Sequence, residues 1–313
     1  LLFLDHAFHG LSIGSLSLNG GKEFREEFGP LLPEMRKVEF NDLKALEREL
    51  EKGDVAALCC EVIQGKGVYI LDDNYLIEAR KLLDKHKALL IIDEVQTGFG
   101  RTGKFFAQEH WKDAVPDIIT VSKALSGGFV PVGAILMADF VYRKTFNRMD
   151  RCIVHSSTFG ENDLAMAAGL ASLHVIEKDG LVENSRIIGD YLQEQLKKLM
   201  QKHETIKDVR GKGLMIGIQF GAPQGLMAKL KWKMVDTIEK GLFSQSVVMH
   251  LLENHRIFTQ VAAHQVEIIK LLPPLTIGKE DADYFVDALD KTLEENNIVE
   301  AMVTMAKRVM QSS

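Results

Sequence analysis

Two short apolar runs, each ending abruptly in a chemically capable residue, restrict the architecture before anything else in the chain is read. Ala88-Leu89-Leu90-Ile91-Ile92 stops at Asp93-Glu94 and a glycine-punctuated loop that runs to Gly103. Asp117-Ile118-Ile119-Thr120-Val121 stops at Ser122-Lys123, followed by Ala124-Leu125-Ser126-Gly127-Gly128. An apolar run without alternation is the pattern of a strand covered on both faces, and such strands belong to parallel sheets sandwiched between helices. Asp93 and Lys123 therefore leave neighbouring parallel strands at the carboxyl edge, where loops diverge and open a crevice for ligands.

Strands and helices alternate along the rest of the chain. Leu1 to Asp5 reads as a strand and Phe8-His9-Gly10 as the turn after it. Residues 11–39, interrupted by Gly29-Pro30 and Pro33, read as irregular surface loop. Asn41-Asp42 can cap a short helix through Leu50, and Val55 to Ile63 reads as another buried strand. Asp72-Asp73 precede a helix to about His86, with Leu76, Ala79, Leu82 and Leu83 at helical spacing. Val132 to Met137 adds a strand, while Asp139 to Met149 and the alanine-rich stretch from Glu161 to about Glu177 read as helices. This order specifies an α/β fold, a mostly parallel sheet with helices on both faces. Asp179-Gly180 is a helix-stop signal, so residues 1–178 are expected to form a larger domain and 179–313 a smaller α+β domain. The smaller one is expected to hold helices to about His203 and a strand from Leu214 to Phe220 after Arg210-Gly211-Lys212-Gly213. A strand from Glu267 to Leu272 before Pro273-Pro274 follows, and amphipathic helices close the chain.

Composition excludes several classes of function. The formal net charge of −6 gives no electrostatic reason to expect nucleic acid. No apolar run reaches the length of a membrane span. Cys59, Cys60 and Cys152 are too few and wrongly spaced for a disulfide framework or a zinc site, which suits a reducing compartment and makes cytoplasm the expectation. The ten histidines are scattered without metal-ligand spacing, so no metal is expected. Lys229-Leu230-Lys231-Trp232-Lys233 is basic and aromatic, but a short charged helix face explains it better than contact with a polyanion.

The strand-end pair is what carries chemistry. A carboxylate and an amine at one sheet edge are what pyridoxal phosphate needs: an anion to keep the pyridine nitrogen protonated and a lysine to form a Schiff base. On its own Asp93 could equally make a strand-end turn, and Lys123 could be a solvated surface lysine. The motifs IIDEVQTGFGRTG and SKALSGG, with Phe8-His9-Gly10 upstream, resemble the class III pyridoxal-phosphate aminotransferases, the ornithine, acetylornithine and putrescine group. GPLLPEMRKV, VIQGKGV and HSSTFG bring the resemblance nearest to the putrescine members.

The resemblance implies a fold-type-I transferase in which Lys123 and Asp93 are catalytic, Lys123 moving the substrate proton and Asp93 pairing with the pyridinium nitrogen. It implies that Phe8 stacks on the cofactor ring, although a core aromatic would read the same. His9 would border the ring, and Gln96 would hydrogen-bond its phenolic oxygen. Thr158 would reach the cofactor phosphate of a neighbouring subunit, so the protein is expected to be a homodimer. Glu94 and Arg101 match motif positions too, but a structural ion pair or cap is at least as good a reading for them. The family also carries a longer amino-terminal part, whose helix binds the phosphate. Nothing of that kind precedes Phe3, so the chain, opening at Leu1 without methionine, reads as truncated.

Departures from the family bear on substrate. Leu11 stands where the family usually has arginine or another polar residue, and Glu161-Asn162-Asp163 replaces Gly-Asn-Pro. Gln64-Gly65-Lys66 replaces Gln-Gly-Glu, and Lys270 stands where an arginine before the double proline would grip an α-carboxylate. Lysine offers a point charge rather than a bidentate fork. Lys66 and Lys270 are therefore candidate substrate-binding residues, with solvated lysines as the alternative. The expected activity is transfer of an amino group from an ω-amine or diamine donor, putrescine-like, to a 2-oxo acid. Aminomutases, racemases and decarboxylases of the same fold use the same lysine and aspartate, and a catalytically silent subunit or scaffold is the reading from another class.

Overall fold

The computed structural model describes residues 1–226, 229, 230, 232, 233, 240–262 and 265–294. Two compact units divide the chain, one of Leu1–Gly65 with Ile70–Val182, the other of Lys66–Tyr69 with the residues from Glu183 on.

The first unit is built on β1 (Leu2–Leu4), β2 (Arg36–Val38), β3 (Ala57–Cys60), β4 (Leu89–Asp93), β5 (Ile118–Val121) and β6 (Ala134–Met137). They form one six-stranded sheet in the order β2-β1-β3-β4-β5-β6, parallel except for β6 against β5. Every residue of β1 and β3 is buried, which is why their sequences show no alternation. The β4–β5 register sets Asp93 opposite Thr120, so the chain beyond Asp93 and the chain leading to Lys123 emerge at the same carboxyl edge.

Helices pack around this sheet, leaving β6 largely exposed. α1 (Ile13–Leu16) is a single turn, and α2 (Leu43–Leu50) begins where Asp42 Oδ1 accepts from Ala45 N at 2.8 Å. α3 (Tyr75–His86) buries Leu76, Ala79 and Leu83 completely and stops at Lys87, which takes a left-handed conformation. α4 (Asp139–Thr145) precedes α5 (Asp163–Lys178), which starts two residues later than the alanine pattern suggests because Asn162 is its cap, Oδ1 accepting from Ala165 N at 2.9 Å.

Residues 11–39 are not simply surface loop. Leu16, Ser17 and Asn19 are buried, and the segment ends in β2. Arg36-Lys37-Val38 carries no apolar run because β2 is an edge strand, blunted by charge as exposed edges commonly are.

The second unit holds a four-stranded antiparallel sheet, β7 (Ile206–Lys212), β8 (Met215–Phe220), β9 (Gln260–Ala262) and β10 (Gln265–Leu271), in the order β7-β8-β10-β9. One long helix, α6 (Leu181–Lys202), occupies the stretch expected to hold several; with α7 (Leu242–His255) and α8 (Lys279–Glu294) it covers one face. Ile188, Leu192, Leu196 and Leu199 of α6 pack with Ile216, Ile218, Ile269 and Leu271 of the sheet. β7 is hidden in the sequence because Arg210-Gly211-Lys212-Gly213 reads as a turn, whereas its first three residues complete the strand. Of the amphipathic helices expected to close the chain, α8 is described, whereas the residues beyond 294, and Lys231 of the basic stretch, lie outside the described residues. No described helix is long and apolar enough to cross a membrane.

Candidate active site

The parallel strands deliver their following segments to one edge. The turn after β1 places His9 beside the end of β4: His9 Nδ1 lies 2.8 Å from Asp93 Oδ2, with 4% of the His9 side chain and 10% of the Asp93 side chain exposed. Asp93 Oδ1 accepts from Val95 N at 3.0 Å, turning the chain into the loop that carries Gln96. His9 N donates to Asn19 Oδ1 at 2.7 Å and Asn19 Nδ2 donates to Gly10 O at 2.9 Å, so the buried asparagine fixes the turn.

Beyond β3, Glu61 holds two backbones at once. Its Oε2 accepts from Phe8 N at 2.9 Å and its Oε1 from Gly65 N at 2.8 Å. The Phe8 ring rests against Phe24, centroids 5.1 Å apart. A Cβ at Gly65 would overlap Gln96 Oε1, so the glycine leaves room for that amide.

Electrostatics follow from this crowding. Burial works against a charge on His9, but Cys59, the Asp93 hydrogen bond and Glu61 outweigh it and hold the imidazole pKa well above its usual value. Burial raises the Glu61 carboxyl, with His9 opposing. Asp93 therefore faces an imidazole whose surroundings favour its protonated form. Glu94 is fully buried and accepts from Thr97 Oγ1 and, at 2.8 Å, from Gln108 N. It organises the loop rather than facing the edge.

Lys123 follows β5 at φ +44°, a left-handed conformation uncommon for a residue with a side chain, and it is exposed. Hydrogen bonds brace it from both sides: Ser122 Oγ donates to Val132 O at 2.6 Å, Leu125 N to Ser122 O at 3.0 Å, and Ser172 Oγ of α5 to Ala124 O at 2.9 Å. An unusual backbone held this firmly at a sheet edge is the kind of strain that accompanies function. Thr158 stands on the exposed stretch before α5 and makes none of the hydrogen bonds that join His9, Asp93 and Glu61.

The two candidate substrate lysines both belong to the second unit. Gly217 of β8 pairs with Arg210 of β7 on one side and Lys270 of β10 on the other, and Lys270 pairs with Gln260 of β9. Directly opposed residues share a face, so the four form one row across the sheet. A Cβ on Gly217 would lie 3.2 Å from Val68 Cβ, so the loop of Lys66–Tyr69 lies over the middle of that row. Arg210 clamps the loop, Nη2 donating to Gly67 O at 2.7 Å and Nε to Val68 O at 3.0 Å, with the guanidinium 4.7 Å from the Tyr69 ring centroid. Lys66 and Lys270, both half-buried, are thus carried to one face of this sheet.

Sequence reasoning missed Cys59, Glu61, Asn19 and Arg210. Each acts through sheet register or a distant backbone, and none sits in a motif the chemistry demands. Among the described residues no group of three or more His, Cys, Asp or Glu is placed to hold a metal ion.

The donor set fits pyridoxal phosphate. Asp93 would set a carboxylate against a pyridine nitrogen, Lys123 an amine against an aldehyde, Gln96 an amide in a space kept open at Gly65, and Phe8 an aromatic face against the ring. Comparison with known proteins points the same way. An acetylornithine aminotransferase from Caldanaerobacter subterraneus is 38% identical over 296 residues, covering 94% of this chain and 67% of that protein. The aminotransferase PigE of a Serratia species is 35% identical over 327 residues, covering 94% of this chain and 38% of that protein. An ornithine aminotransferase from Toxoplasma gondii, solved with partial occupancy of PLP at its active site, superposes with a TM-score of 0.80 at 29% identity over 98% of this chain and 65% of that one. The chain thus spans from under two fifths to about two thirds of the length of these relatives. The pattern described as aminotransferase class-III matches residues 1–293, which takes in the His9–Asp93 pair, Lys123 and the Lys270 row alike, and the chain belongs to the class-III aminotransferase family, whose cofactor is pyridoxal phosphate.

Proposed function

We propose that the protein transfers an amino group from an ω-amine or diamine donor, putrescine-like, to a 2-oxo acid. The observation that carries this reading is the His9–Asp93 pair at 2.8 Å, at the carboxyl end of the strand beside the one that leads to Lys123. Pyridoxal phosphate, when bound, supplies an electron sink for the pair left behind as a proton leaves the carbon bearing the substrate amine. Asp93 holds the proton on the pyridine nitrogen, and His9 orients the Asp93 carboxylate through its hydrogen bond. Gln96 donates to the phenolic oxygen, and Phe8 covers one face of the ring. Lys123 Nζ is the nucleophile that anchors the cofactor and the base that moves the substrate proton.

Lys66 and Lys270 set the substrate in this reading. A row in which lysine replaces arginine attracts a carboxylate without gripping it in a fork, so acceptor preference should differ from, or be weaker toward, 2-oxoglutarate. The assembly we propose is a homodimer, with Thr158 reaching the phosphate site of the partner subunit, and the compartment is the cytoplasm. Borohydride reduction of the cofactor-loaded protein should abolish its absorbance near 420 nm (roughly, as for protonated imines) and leave the added mass on Lys123. A Lys123→Ala chain that folds normally and still consumes amine at the wild-type rate would refute the assignment. Stoichiometric conversion of the oxo acid to amino acid, with amine consumed, separates transamination from aminomutase, racemase and decarboxylase activity.

A further inference from the structure

A third group completes the His9–Asp93 pair. Cys59 of β3 brings its Sγ to 4.0 Å from His9 Nδ1 and 3.9 Å from Nε2, almost equidistant from the two ring nitrogens. Register explains why this cysteine and not its neighbour does so. Cys59 pairs with Ile91 of β4, and alternation puts Asp93, two residues on, on the face that Ile91 and Cys59 share. Cys60 falls on the opposite face and is fully buried there. Glu61, again two residues on, returns to the first face and ties down the backbone of Phe8.

We propose that Cys59 is a positioning residue: its sulfur packs against the His9 ring and keeps Nδ1 on Asp93, the carboxylate against which the pyridine nitrogen would bind. The proposal rests on the reading of Asp93 given above. The titratable groups facing the ring are Asp93 from β4 and Cys59 and Glu61 from β3 and the segment after it. A sulfur 4.0 Å from one ring nitrogen and 3.9 Å from the other lies against the body of the ring and not on either N–H axis, so it holds the ring by contact while Nδ1 meets the carboxylate. Removing the sulfur leaves the ring free to turn away and removes one of the groups that favour its charge. Asp93 then loses a charged donor, and the ring proton it secures is held less firmly.

The test needs no bound cofactor. The imidazole signals of the isotope-labelled chain are followed by NMR against pH, with His9→Gln identifying the His9 peak. In Cys59→Ala the His9 midpoint should fall by about half a unit or more, the scale of one lost neighbouring interaction. Cys59→Ser, which keeps a small polar atom in place, should recover part of the shift, and Asp93→Asn should lower the midpoint further. An unchanged His9 midpoint in both Cys59→Ala and Cys59→Ser overturns the proposal. Should Cys59→Ala not fold, the near-isosteric Cys59→Ser decides alone, an unchanged midpoint again refuting it. Because these titrations read His9 directly, they fail or succeed independently of the borohydride labelling of Lys123.

Discussion

Asp93 and Glu94 are adjacent carboxylates that the strand turns to different environments. Asp93 meets a histidine whose surroundings favour its protonated form, whereas Glu94 is buried among neutral donors, and burial pushes its carboxyl up to about 7. The folded state therefore holds the Glu94 proton more tightly than the unfolded chain, whose value is 4.5. Its contribution to stability is fully present below that unfolded value and is lost as pH rises through about 7. At about 1.4 kcal/mol per unit the loss amounts to about 3 kcal/mol. Glu94→Gln cannot ionise, so its denaturant midpoint should lie below the wild type at pH 4.5, where two hydrogen bonds are weakened, and fall much less between pH 4.5 and 8. Equal pH slopes for the two proteins would show that Glu94 is ionised throughout. Asp93→Asn leaves the shape of the site but removes the charge opposite His9. It should bind cofactor yet slow proton abstraction by roughly 100-fold or more, read as the decay of cofactor absorbance after mixing with amine in a stopped-flow instrument.

Among the elements, those that position the site were the ones legible in the sequence. β4 and β5 are interior strands with a paired neighbour on each side, so their apolar runs and the polar residues that end them stand out, although β5 is only half-buried. β2 and β9 are short edge strands whose exposed backbone carries no apolar run, and β7 ends in glycines that look like a turn. Asp93 and Lys123 stood out as candidates because the chemistry proposed for them uses those residue types at strand ends. Cys59 and Glu61 did not, because only the register of β3 against β4 shows which face they share with Asp93. The same dependence on approach governs α6. Gly189 lies midway along this helix, where glycine is disfavoured by up to about 1 kcal/mol relative to alanine. A Cβ there would overlap the backbone of Gly213 in the turn between β7 and β8, which cannot swing aside as a long side chain could. Overpacking of this kind costs about 1–3 kcal/mol or more and should outweigh the gain in helix propensity. Gly189→Ala is thus expected to destabilise the chain by about 2 kcal/mol in urea unfolding, whereas alanine at Gly53, where no atom lies nearby but φ is +74°, tests backbone strain alone.

For the molecule as a whole, the surface of the first unit between residues 129 and 170 is unusually apolar. Phe129 is 90% exposed, Met149 89% and Phe159 83%, with Ile153 and Leu164 also well exposed. Large apolar side chains exposed in one segment of the chain favour association, since leaving them in water forgoes about 25 cal/mol for each Å² that could be covered. Thr158 belongs to this stretch, which supports the proposed homodimer in which each cofactor site draws Lys123 from one subunit and Thr158 from the other. Mixing the two single variants tests the sharing. If a Lys123→Ala chain is combined with a Thr158→Ala chain, a mixed dimer has one site missing both residues and one site with both intact. Random pairing makes about half the dimers mixed, each with one working site of two, so activity should recover to about a quarter of the wild type. Each parent alone should show far less, Lys123→Ala because the nucleophile is gone and Thr158→Ala because the phosphate loses a donor. Recovery should rise with the fraction of mixed dimers measured by native mass spectrometry and vanish when the chains are mixed under conditions that prevent exchange. A mixture that contains mixed dimers yet performs no better than the sum of its parents would place Thr158 and Lys123 in the same subunit's site, and the shared-site arrangement would be wrong.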